Sequence, residues 1–130
     1  MTTRDALIKC LWHVIHDETK PLPSHSEKVI QAPLGDAEAL TAKIVKAGIP
    51  MADIARLVKI FQFEAVMGVL QCFSDPEGSL SDLDIEVDDI WAIVQCNEEG
   101  EVSGDLSGIF ESMLSADPTG REMRPRLTSR

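Results

Sequence analysis

Between residues 74 and 117 the chain has no lysine and no arginine, against thirteen aspartates and glutamates. The rest does not offset this gap: residues 1–73 hold eight cationic and eight anionic side chains, and residues 118–130 hold four arginines and one glutamate. The net charge of −10 is therefore concentrated in one segment. Binding a phosphate backbone relies on lysine and arginine, so the composition argues against nucleic acid as a partner.

Long hydrophobic runs are also missing. No uninterrupted apolar stretch approaches the roughly 18 residues expected of a membrane span, and the charged opening, Met1 to Ala6, is helix-like. Neither membrane insertion nor secretion is expected. Cysteine is scarce: Cys10, Cys72 and Cys96 are odd in number and widely spaced within apolar stretches. A disulfide framework is not expected from such a pattern, whereas reduced thiols in a cytoplasmic setting fit it. Each cysteine reads as a small buried hydrophobe.

Local catalytic signatures are absent as well. There is no glycine-rich phosphate loop, no Gly-x-Ser-x-Gly elbow and no His-Glu-x-x-His pair, so no catalytic residue is assigned and an enzyme is not the leading expectation. Cys10, His13 and His16 recur every third residue, but the helical period turns the first and last about 120° apart, and no second cluster supplies a fourth ligand. The stretch from Asp75 to Glu86 has oxygen-bearing side chains at several calcium-loop positions. Leu80, however, stands where the sharp turn needs glycine. No metal and no cofactor is assigned.

What remains is a chain of ordinary globular composition, 44% hydrophobic and 26% charged, whose 130 residues suit one core. The expected architecture is mainly α: a compact helical domain over residues 1–117 around a central apolar helix at about 51–73, followed by a basic tail, 118–130, mobile unless it docks. Thr2 with Asp5, or Thr3 alone, supplies an N-cap, and Ala6, Leu7, Cys10, Leu11, Val14 and Ile15 carry a helix to about Asp17. Pro21 and Pro23 break it. Ser24 and Glu27 have capping-box spacing for a short second helix ended by Pro33. Gly35 and Asp36 open another helix with Ala37, Leu40, Ile44 and Ala47 on one stripe, stopped by Gly48 and Pro50. In the central helix, Ile54, Leu57, Val58, Phe61, Ala65, Gly68 and Cys72 follow one face. Val66, Met67, Val69 and Leu70 widen that face, which predicts heavy burial.

After that helix, Ser74 to Gly78 has turn chemistry. Asp82, Asp84, Glu86 and Asp88 alternate with Leu83, Ile85 and Val87 as in a half-buried strand, yet Leu83, Val87, Ile90, Trp91 and Val94 also satisfy helical spacing. The β-branched residues at 90–95 favour a short β element within 82–95. Asn97 to Gly100 is a loop, Ile109–Leu114 a short helix and Asp117 to Gly120 a type I turn.

An acidic surface steers and captures a basic protein. The leading functional expectation is a small neutralising partner, of the immunity-protein or antitoxin type, that binds and inhibits a basic toxin or enzyme. Asp82, Asp84, Glu86, Asp88 and Asp89, with Glu98, Glu99 and Glu101, would pair with lysines and arginines of the target. Trp91 would supply apolar anchoring; Trp12 reads as core. An acidic secretion chaperone or adaptor, a kind that often forms homodimers, is the alternative, and a small enzyme or metal-binding protein using His13 and His16 the second.

Overall fold

The computed structural model describes residues 1–22 and 26–126. It is mainly helical: α1 (Thr3–Val14), α2 (Ala37–Lys46), the long α3 (Met51–Ser74) and α4 (Pro76–Asp82), then β1 (Val94–Cys96), β2 (Val102–Asp105) and a 3₁₀ turn at Ile109–Ser112. The chain forms two compact units, one from Met1–Ile15 with the chain from Phe63 onward, the other His16–Gln62. Helix α3 contributes to both.

The first unit grows from a reciprocal cap. Thr2 Oγ1 accepts from the Asp5 amide at 3.0 Å while the Asp5 carboxylate accepts from the Thr2 amide, satisfying two donors that a helix start leaves open. One face of α1 then buries Ile8 and Trp12, followed by Ile15. The helix stops at Val14, three residues before the expected end. The Asp17 carboxylate accepts from both the amide and the hydroxyl of Thr19, and a side chain that captures backbone donors in this way favours a turn.

Ile8, Trp12 and Ile15 join Leu70, Ile109 and Met113 in the core, with Phe63, Val66 and Met67 of α3 packed around them. The Trp12 and Phe63 rings lie 5.6 Å apart. Trp12 donates from Nε1 to the Met113 carbonyl at 3.1 Å, so the buried indole keeps a polar partner. Gly108 enters the 3₁₀ turn in the left-handed region at φ 73°, which glycine adopts without strain. Arg4 donates to the Gly108 carbonyl and to Ser112 Oγ.

The tail begins with the expected turn, closed by the Gly120 amide on the Asp117 carbonyl. The Asp117 carboxylate is buried and accepts from Thr119 and from the Met123 amide. Met123 packs against the core, so the tail is held to the first unit at least that far.

In the second unit, Gly48 at φ 88° ends α2, and the Pro50 carbonyl accepts from Ile54 at the start of α3, as the stop signal predicted. The inward face of α2 is different from the expected stripe. Ala39 and Ala42 are buried, with Val45 half-buried, while Leu40 and Ile44 are exposed. Residues one turn apart share a face whatever their size, and here the small pair turned inward. Arg56 donates to Glu18 at 3.1 Å. Lys46 pairs with Glu27 at the surface. Residues 26–33 hold turns and bends instead of a second helix, with Leu34 at φ 62° ahead of α2; the cap proposed at Ser24 lies outside the described residues.

Two further expectations are corrected after α3. The Asp75, Pro76, Gly78 sequence starts α4 and is not a free turn: Asp75 Oδ1 accepts from the Gly78 amide and Pro76 takes the first helical position, where a missing N–H goes unmissed. The β element is shorter and later than the sequence alternation suggests. β1 pairs antiparallel with β2, Val94 opposite Asp105, with a bulge between Gln95 and Cys96. The alternating residues 82–89 have no strand beside them.

Candidate functional site

The acidic segment leaves α4 through Asp84, at φ 54°, and runs along the surface of the first unit to β1. Every residue from Ser81 to Ala92 is exposed. With Glu77, Leu80 and Ser81, residues 84–90 line an open hollow whose walls mix carboxylates with Ile85, Val87 and Ile90. Among the described residues, no backbone amide from Glu86 to Ala92 donates a hydrogen bond, and Asp82, Asp84, Glu86, Asp88 and Asp89 form no ion pair. Anionic charge, apolar side chains and unsatisfied peptide groups all face solvent here.

Trp91 moors this strip. Its indole donates from Nε1 to the Cys72 carbonyl at 2.8 Å, beside the C-terminal end of α3, while the ring remains 37% exposed. Trp12 is core, as the sequence suggested. Glu98, Glu99 and Glu101 stand on the β1–β2 hairpin loop, where Asn97 Oδ1 accepts from the amides of Glu99 and Glu101 and Gly100 takes φ 82°. No hydrogen bond or ion pair among the described residues links them to residues 82–89. The structure therefore gathers Asp84, Glu86, Asp88 and Asp89 around one hollow, leaves Asp82 and Trp91 outside its lining, and places the three glutamates on a separate element.

Metal chemistry finds no geometric support in the described residues, which bring together no group of three or more His, Cys, Asp or Glu able to hold an ion. Cys10 and His13 are exposed, and His16 donates from Nε2 to the Lys20 carbonyl. The calcium-like stretch is helical over 76–82 and so is not a loop. Contrary to expectation, Cys10, Cys72 and Cys96 are all exposed and free. Helical and strand positions that share an apolar neighbourhood in sequence need not face the core.

Sequence reasoning missed one surface. Helix α3 was expected to be heavily buried, yet only Ile54, Ala55, Lys59 and Leu70 are. At 100° per residue, Phe63, Val66, Met67 and Leu70 form the face toward the first unit's core, and Ala65, Gly68, Val69, Cys72 and Phe73 form the opposite one, exposed to solvent. A Cβ placed on Gly68 would meet nothing within 4 Å. The available signal was an apolar arc wider than a single core-facing stripe requires. By length and composition α3 is also apolar enough to cross a membrane, with a mean hydropathy of 1.3 over its best 18-residue window, of which 11% is buried. Core helices pass the same test, though with most of the window buried.

Hydrogen bonding sets the ionisation of three other carboxylates. Thr2, through its side chain and then its backbone, holds Asp5 below the usual value of 3.8. Thr19 does the same for Asp17 and Ser107 for Asp105.

No family model, no curated protein and no solved structure matches this chain.

Proposed function

We propose that the chain is a protein-binding module of the cytoplasm that captures a basic protein and neutralises it, in the manner of an immunity protein or antitoxin. The observation that carries this reading is the strip from Asp82 to Trp91, in which five carboxylates, without ion pairs among the described residues, alternate or neighbour with exposed Leu83, Ile85, Val87, Ile90 and Trp91. Unpaired charge accelerates encounter with a cationic surface, and the apolar side chains supply the area to bury once contact is made. The three free thiols accord with a reducing compartment.

The test is affinity capture on the tagged chain from a lysate of its source cells, washed at low salt and near 1 M, where charges more than about 3 Å apart are screened. A basic protein is expected to be held stoichiometrically at low salt, to be released at high salt and to lose its activity on the column. The variant D82K/D84K/E86K/D88K should fail to hold it. Equal retention by that variant, or retention indifferent to salt, would overturn the reading.

A further inference from the structure

The uncovered face of α3 has a chemistry of its own. From Phe63 to Ser74 the helix shows apolar side chains on both sides, and a helix apolar all round is ordinarily covered all round. Here one side is covered by the core of the first unit, and the other, with Val69 54% and Phe73 46% exposed, is open. Gly68 sits in that open face with free space above it, so a second backbone can approach closely there. The margins of the face say what would cover it. Glu64 flanks it, Asp75 and Glu77 follow its C-terminal end, and Trp91, which ends the acidic strip, is bonded to the Cys72 carbonyl. No lysine or arginine lies anywhere from Phe63 to Asp117.

We infer that this face of α3 is the docking surface for an amphipathic helix of the partner, apolar along one side and carrying lysine or arginine along its edges. The inference rests on the proposed basic partner and specifies the element by which that partner is held. Charge complementarity selects this occupant over a second copy of the chain, whose own acidic margins would meet these with like charge. The open face, Ala65 to Phe73, is roughly 13 Å long and matches between two and three turns of a partner helix. Its apolar anchors would lie at the i, i+3, i+4 and i+7 spacing of helix-in-groove recognition.

The test uses the full chain and a labelled synthetic helix of about 18 residues with a leucine face and a lysine face, read by fluorescence anisotropy. A leucine/glutamate peptide with the same apolar face is the control. The lysine peptide is expected to bind, weakening at least tenfold at high salt, and the glutamate peptide to bind at least tenfold more weakly. The double variant G68Q/V69Q puts neutral polar groups on the face, and its glutamine at 68 has room and a better helix propensity than glycine, so the fold persists. It should weaken binding of the lysine peptide at least tenfold, with unchanged helicity by circular dichroism.

If G68Q/V69Q binds as the wild type does while D82K/D84K/E86K/D88K does not, the acidic reading stands and the α3 docking surface is overturned. If both peptides bind alike, the charge selection fails along with the basic partner. Two further outcomes also overturn the inference: self-association in sedimentation that G68Q/V69Q abolishes, and binding to phosphatidylcholine vesicles that it abolishes. They would assign the face to a second copy or to a lipid surface.

Discussion

At Trp12 two demands meet in one side chain. The ring fills the core against Phe63, and the indole N–H satisfies the Met113 carbonyl, which has little access to water. Trp12→Phe keeps most of the apolar area but leaves that carbonyl with only the longer bond from the Ala116 amide at 3.3 Å, a loss of about 1 kcal/mol. A lower midpoint in urea with an unchanged slope is the expected result. Asp5 makes a different contribution, because its carboxylate closes the α1 cap only when ionised. Its folded pKa lies below the unfolded 3.8, so the unfolded chain binds the proton more readily as pH falls. The stabilisation is therefore present above about 3.8 and disappears as pH drops through the lowered folded value. Asp5→Asn should melt below the wild type at about pH 6, and the gap should narrow as pH falls below 3.8; a gap independent of pH would assign the cap to geometry alone.

Elements show where sequence and structure part. The capping box of α1 was legible because its two residues satisfy each other locally, and the end of α2 and the start of α3 were legible because Gly48 and Pro50 act through their own backbone. Burial was not legible in either long apolar helix. Hydropathy counts apolar positions, but the face that turns inward depends on what stands opposite: α2 turned in its alanines, and α3 has apolar residues for two faces and a core for one. Asp75 and Pro76 were ambiguous because the same residue pair opens a type I turn and caps a helix; the fourth residue's amide bonds in both cases. Alternation at 82–88 predicts a strand only if another strand is available, and β2 reaches no further than Val94. Amide exchange should show the difference directly. Glu86 to Ala92, whose amides have no acceptor among the described residues, should exchange at close to unfolded rates, while Ile8, Trp12 and Leu70 remain protected. Protection across 86–92 in the free chain would mean that the segment already has a strand partner.

For the molecule as a whole, the acidic segment behind the proposed function was visible in the sequence as charge, whereas the exposed face of α3 was not visible there. Asp82, Asp84, Glu86, Asp88 and Asp89 came from the one segment without cations, and the structure gathers all but Asp82 around one hollow. The α3 face could not be named in advance, since only coordinates tell which apolar residues lack a cover. At physiological ionic strength, charges are felt over about 8 Å. A net charge of −10 thus acts on neighbouring molecules before their apolar surfaces touch. The carboxylates proposed to attract a cationic target would also work as a dispersant, since like charge opposes the approach of two bare α3 faces in a crowded solution. On the proposed reading, a partner that neutralises them would remove this barrier, so the cancellation of charge and the covering of the greasy face would become a single event, and an acidic protein would be turned away before it reached the helix.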